Sequence, residues 1–150
     1  MAPAGCLQKE DPAINPQDLS AAARAYAQQP GERSLSRLLA VLQGLLSQGA
    51  PAVLAMDFPA PGLEHLGLPP TMVRDASGEE YYALITSQAK GVEERLLIEM
   101  DLAAALGMVA GDPTAAGLCI NPWNEPPCYL ARGHLRDLLR AHADRQAGAP

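Results

Sequence analysis

Hydrophobic positions recur at helical spacing between residues 35 and 46. Neighbouring leucines in this segment are one or three positions apart, which places all of them on one side of an α-helix. Gly49 follows and is a favourable residue for ending a helix. The segment is shorter than the three or more heptads of a typical coiled coil, so we expect a helix that docks onto another layer. The stripe consists of Leu35, Leu38, Leu39, Leu42, Leu45 and Leu46.

Three other segments carry helix signals. Asn15 and Pro16 combine a capping residue with a proline at the first helical position, and Pro30 ends the pattern that follows. Asp101 precedes another apolar helical pattern and is expected to cap it. The predicted helices cover residues 16–29, 102–109 and 135–145.

Apolar runs that are too short for helices predict strands. Two of them flank the turn sequence from Asp75 to Gly78, which is a hairpin signal. Another run stops at Asn121-Pro122, because proline lacks the backbone N–H and disfavours helical geometry in the residue before it. The predicted strands cover residues 52–56, 72–74, 80–85, 95–100, 117–120 and 128–130.

The order of these elements predicts the fold class. We expect an α/β fold (α+β mixed), with a mixed β-sheet of about five strands covered by helices. The 150 residues suit one domain. We expect a flexible leader over residues 1–14, the single domain over residues 15–146 and a frayed tail over residues 147–150.

The charge of the chain argues against a nucleic-acid partner. The net charge is −6 and the sequence pI is about 4.9, and Lys9 and Lys90 are the two lysines. Nucleic-acid binding depends on clustered cations that neutralise phosphates. The most apolar segment, residues 35–58, is interrupted by polar residues and Pro51, so we expect no membrane span. The first residues lack the pattern of a signal peptide, which predicts a soluble cytoplasmic protein.

Cysteine chemistry has little support in the sequence. Cys6, Cys119 and Cys128 are an odd number with no metal-ligand spacing, so we expect a reducing compartment, no metal and no cofactor. Cys119 lies within an apolar strand and is expected to act as a small buried hydrophobe. A thiol nucleophile would need a histidine partner such as His134. No known catalytic motif occurs, which favours a non-enzymatic protein.

Polar and aromatic residues at two strand ends are the candidate site. Thr86 and Ser87 follow one predicted strand, and Asn121 and Trp123 follow another. Ligands often bind at the carboxyl ends of strands. If the two strands are neighbours, these residues form one small polar site, in which the Asn121 amide is donor and acceptor and the indole is an apolar wall. A structural interpretation stays open, in which these residues cap segments and close the core edge.

These pieces, taken in order, resemble the N-terminal domain of the SseB protein family, the enhanced serine sensitivity proteins, also described as a type III secretion-like SseB domain. The resemblance covers roughly residues 19–140. It rests on the leucine-rich helix leading into a strand, the strand that closes on Thr86-Ser87, the strand-helix pair over residues 96–109, and the strand that closes on Asn121-Pro122. The chain has Ile85 where the family usually has phenylalanine, and Trp123 where it has glycine.

The resemblance implies a small bacterial α/β domain with a role in regulation or protein–protein interaction. The resemblance identifies no catalytic residues in this chain. Our leading hypothesis is therefore a non-enzymatic, cytoplasmic interaction or regulatory domain, whose contact surface contains Thr86, Ser87, Asn121 and Trp123, with the loop over residues 57–70 above or beside them.

Two alternatives use other features of the sequence. A small-molecule sensor or small enzyme would use the strand-end cleft near Asn121 and Thr86, with Cys119 or Cys128 as a reactive group. A homodimer would use exposed apolar surface such as the leucine stripe of residues 35–46.

Overall fold

Six strands form one mixed sheet within residues 16–86 and 89–148, which are the residues that the computed structural model describes. The leader, Asn15, Ser87 and the last two residues lie outside these ranges. The helices are α1 (Pro16–Gln28), α2 (Glu32–Ser47), α3 (Leu102–Ala110) and α4 (Arg132–Ala147). The strands are β1 (Pro51–Met56), β2 (Met72–Arg74), β3 (Glu80–Ile85), β4 (Leu96–Asp101), β5 (Gly117–Ile120) and β6 (Cys128–Ala131).

The sheet has the order β4-β1-β3-β5-β6, and β2 also pairs with β3. β3 and β5 are parallel, with Tyr82 opposite Leu118, while the other pairs are antiparallel. β1 and β2 share the edge of β3 that faces away from β5, because β1 pairs with its last residues and β2 with its first ones. The predicted hairpin and the mixed sheet are both confirmed, with six strands rather than about five.

The helices pack on one face of the sheet and bury an aliphatic core. Side chains alternate between the two faces of each strand: Leu54 and Leu84 join the cluster formed with the helices, whereas Ala55 and Ile85 belong to a separate cluster on the opposite face. The helical stripe of residues 35–46 is confirmed, and its six leucines are buried or packed against the core. That burial removes the stripe as a homodimer surface.

Two sequence expectations concern the ends of the helices. Gly49 follows α2 with a positive φ of 66°, the left-handed geometry that favours glycine at a helix end. Asp101 occupies the N-cap position of α3, as expected, although its side chain makes no capping hydrogen bond. Within the described ranges, no helix has both the length and the apolar character that crossing a bilayer requires.

The β5–β6 pair depends on a close backbone approach at Gly117. A Cβ atom at this position would overlap the Leu130 carbonyl oxygen and lie 2.9 Å from the Arg132 backbone nitrogen. Glycine is therefore required at the first position of β5, where the chain enters the parallel pair that carries the candidate site.

Substituting Gly117 by alanine is expected to destabilise the protein by about 2 kcal/mol or more, because the new Cβ forces β5 and β6 apart. Gly107→Ala is the matched control, since open space surrounds Gly107 within α3. There, alanine should stabilise the protein by about 0.5–1 kcal/mol. Urea unfolding followed by circular dichroism measures both. Equal stability of the two variants would contradict the close approach.

Candidate functional site

Thr86 and Asn121 lie next to each other because the strands before them, β3 and β5, are parallel neighbours. The Asn121 backbone N–H donates to the Leu84 carbonyl at 2.8 Å, which continues the strand pairing by one residue. The Asn121 Oδ1 accepts from the Thr86 backbone N–H at 2.9 Å, and the Asn121 Nδ2 donates to the Thr86 Oγ1 at 2.8 Å. The expected juxtaposition of these two residues is thus found.

Ser20 of α1 completes this arrangement. Its hydroxyl donates to the Thr86 Oγ1 at 2.5 Å. Ser20 and Asn121 are only 4% and 6% exposed and Thr86 is half-buried, so the contacts join a helix and two strand ends at the edge of the core. We call Ser20, Thr86 and Asn121 the strand-end junction. Sequence reasoning missed Ser20, although a serine between buried positions of an apolar helix face is a weak signal for a buried polar contact.

The backbone at Asn121 also has a special geometry. Its φ is 54°, in the left-handed region, where asparagine is tolerated better than most residues with a Cβ. Its carbonyl accepts from the Asn124 backbone N–H at 3.0 Å, which closes the turn after β5. Asn121 therefore has a structural use for both its amide group and its backbone. Its role in binding a ligand or partner stays a prediction.

Trp123 faces the side of the sheet away from the helices. It packs against the cluster that contains Ala83 and Ile85. The Arg95 guanidinium carbon lies 3.5 Å from the centroid of the Trp123 ring, a cation–π arrangement. The Arg95 Nε donates to the Gly91 carbonyl at 3.0 Å, so the ring is held between the sheet and residues 91–95. This position matches the interpretation in which Trp123 closes the core edge.

A cavity of about 180 Å³ lies beside the junction, between α1 and the turn after β5. Its walls contain two cationic side chains, Arg24 and Lys90, and one carboxylate, Glu125. The remaining wall is formed by Ser20, Ala23, Ile120, Asn121, Asn124, Pro126 and Cys128. Sequence reasoning did not find this group, because its charges come from three separate segments of the chain.

The two cysteines near the site have the properties of buried apolar residues. Cys119 and Cys128 are free and buried, on the paired strands β5 and β6. Burial raises the pKa of both thiols to about 12, so the reactive thiolate is scarce at neutral pH. The expectation that Cys119 is a small buried hydrophobe is confirmed. The alternative in which either thiol reacts with a substrate loses its support.

The loop over residues 57–70 leaves β1 in the direction away from Thr86. β1 and β3 are antiparallel, with Val53 opposite Ile85 and Leu54 opposite Leu84, so β1 runs away from the end of β3 that Thr86 follows. The expectation of one surface formed by the loop and the junction stays a prediction. The described chain shows no cluster of three or more potential metal ligands.

Comparisons with protein-family models, with curated proteins and with solved structures found no match for this chain. The resemblance to the SseB family therefore stays a prediction from the sequence.

Replacing Asn121 by alanine should cost about 2–4 kcal/mol of unfolding free energy. The change leaves the half-buried Thr86 N–H without its acceptor and places an alanine at positive φ. Asn121→Gly removes the same side chain but permits the backbone geometry, so it should be about 1 kcal/mol more stable than Asn121→Ala. Urea unfolding compares the two variants with the wild type. An Asn121→Ala protein within about 0.5 kcal/mol of the wild type would contradict a structural role of the amide.

Proposed function

We propose that this protein is a non-enzymatic interaction module whose contact surface is the loop over residues 57–70. The observation behind the proposal is the exposure of large apolar side chains on this loop. Phe58 and Leu66 are 71% and 70% exposed, and Leu63 and Leu68 are 46% and 42% exposed. The other exposed large apolar side chains of the described residues, Leu97 and Met108, are 36% and 39% exposed. A concentration of apolar surface in one segment is typical of a protein-binding site.

The base of the loop is held by hydrogen bonds. The Asp57 backbone N–H donates to the Pro69 carbonyl at 2.8 Å, and the Thr71 hydroxyl donates to the Asp57 carboxylate at 2.7 Å. The Thr71 backbone N–H donates to the Ala55 carbonyl at 3.0 Å. The two ends of the segment are thus close together, as in an Ω-loop, a class that is frequently functional.

The interior of the loop is also ordered by local contacts. A short 3-10 helix covers Glu64–Leu66, and the Leu66 N–H donates to the Leu63 carbonyl at 3.0 Å. Prolines at positions 59, 61, 69 and 70 restrict the backbone further. A segment that is ordered before it binds loses less conformational entropy in the complex. The exposed apolar side chains are therefore presented on a preorganised support.

The charge of the loop indicates the chemistry of the partner. Asp57 and Glu64 are acidic, the loop contains no lysine or arginine, and the whole chain has a net charge of −6. We infer a partner protein with an apolar depression flanked by cationic side chains, since complementary charge favours encounter. A second copy of this acidic chain would place carboxylates opposite carboxylates, so a heterologous partner fits better than a homodimer.

The proposal retains the regulatory and cytoplasmic setting expected from the sequence. Cys119 and Cys128 lie opposite Tyr129 and Ile120 on the paired strands, so their side chains point to opposite faces of the sheet and the cytoplasmic setting remains an expectation from the sequence. The resemblance to the SseB family supports an interaction role as an expectation. The surface proposed here differs from the strand-end residues that the sequence favoured.

Site-specific photo-crosslinking in cells tests the proposal. A photoreactive amino acid at position 58 or 66 should give the same discrete adduct, while one at position 108, on the exposed surface of α3, should not. Phe58→Ser combined with Leu66→Ser should weaken capture of that partner at least tenfold. Met108→Ser is the matched control and should leave capture unchanged.

Three results would overturn the proposal. Identical adducts from positions 58 and 108 would show that the contact is not specific to the loop. Undiminished capture by the double variant would show that Phe58 and Leu66 do not bind the partner. An adduct formed between two copies of this chain would replace the heterologous partner with a homodimer.

A further inference from the structure

The cavity beside the strand-end junction has features of a small-molecule site that are independent of the loop. Its volume is about 180 Å³. A cavity of about 150 Å³ accommodates benzene, which has six non-hydrogen atoms. A molecule of about six to eight non-hydrogen atoms therefore fits the space.

The two cationic groups on the cavity wall form no ion pair within the described part of the chain. Among the described residues, neither the Arg24 guanidinium nor the Lys90 ammonium has an ion-pair partner. Two unpaired cations on one small cavity of an acidic chain favour an anionic ligand. Arginine can hold a carboxylate through two parallel hydrogen bonds, and lysine adds a point charge.

Glu125 restricts which anion fits. Its carboxylate lines the same cavity and would repel a second anionic group, but it can accept a hydrogen bond from a hydroxyl or an ammonium. Apolar wall residues, among them Ala23 and Ile120, offer a place for a short aliphatic group. We propose that the cavity binds a small carboxylate with a hydrogen-bond donor on the adjacent carbon, as in 2-hydroxy and 2-amino acids.

Local hydrogen bonds hold two walls of the cavity in place. The Lys90 backbone N–H donates to the Asn124 Oδ1 at 2.7 Å, and the Asn124 backbone N–H donates to the Asn121 carbonyl at 3.0 Å. The segment that carries Lys90 is therefore connected to the strand-end junction. This arrangement holds the Lys90 backbone beside the cavity before any ligand binds, so ligand binding has to order only the lysine side chain.

Three ligands with the same number of non-hydrogen atoms test the proposal. L-lactate has a donor hydroxyl, L-alanine has a donor ammonium, and pyruvate has only an acceptor at the same carbon. We expect saturable shifts of the Lys90 and Asn124 backbone amide signals in NMR titrations with lactate, alanine or both. Pyruvate and inorganic phosphate should bind at least tenfold more weakly. Lactate and alanine then distinguish a hydroxy-acid site from an amino-acid site.

Variants that remove single charges test whether the amide shifts report binding in the cavity. Arg24→Gln and Lys90→Gln should each weaken the preferred ligand at least tenfold, whereas Arg37→Gln, an exposed arginine on α2, should have no effect. Glu125→Gln should reduce the preference over pyruvate. Arg24, Lys90 and Glu125 are all exposed, so these variants should fold, and equal thermal midpoints would verify this.

Several results would overturn the proposal. One is the absence of saturable shifts with both lactate and alanine. Another is binding of pyruvate or phosphate as tight as that of the preferred ligand, which would indicate a general anion site. A third is an equal loss of binding in Arg37→Gln and Arg24→Gln. None of these results bears on the loop over residues 57–70, so the proposed interaction function is tested separately.

Discussion

The Asn121 side chain joins the carboxyl ends of β3 and β5 at the point where regular strand pairing stops. Its amide satisfies both the backbone N–H and the hydroxyl of Thr86, and Ser20 adds a contact from α1. Ser20 and Asn121 are nearly inaccessible to water, so a missing partner would leave a buried polar side chain unsatisfied. One side chain thereby fixes two strand ends and the helix above them.

The cavity on the helix side of the sheet and the Trp123 contact on its other face both depend on the position of Asn121. On the helix side, the turn that follows Asn121 positions Asn124, which in turn holds the backbone of Lys90 at the cavity. On the other side, the same turn directs Trp123 onto the second face of the sheet, beneath Arg95. The junction thus gives an ordered frame to a cavity that contains unpaired charges. The loop over residues 57–70 has its own hydrogen-bonded base and does not rely on that frame.

The spacing of hydrophobic residues and the turn-forming residues between them were sufficient to predict the helices and strands. Local properties of the sequence indicate the leucine stripe of α2, the hairpin around Gly78 and the end of β5 before Asn121-Pro122. The junction was only partly predictable, because the contact between Thr86 and Asn121 required β3 and β5 to be neighbours. Strand direction and helix docking are set by tertiary packing, so the position of the 57–70 loop, the role of Ser20 and the charged cavity could not be inferred from local pattern.

Hydrogen exchange of the Thr86 backbone amide tests the structural role of Asn121 most directly. Thr86 lies just beyond β3, and its N–H has the Asn121 Oδ1 as acceptor. If the junction holds the strand ends together, this amide should exchange as slowly as the amides of Leu84 and Ile85 within the strand. Exchange at the rate of an exposed loop amide would contradict the account, because it would show that the Asn121 side chain does not secure the end of β3 in solution.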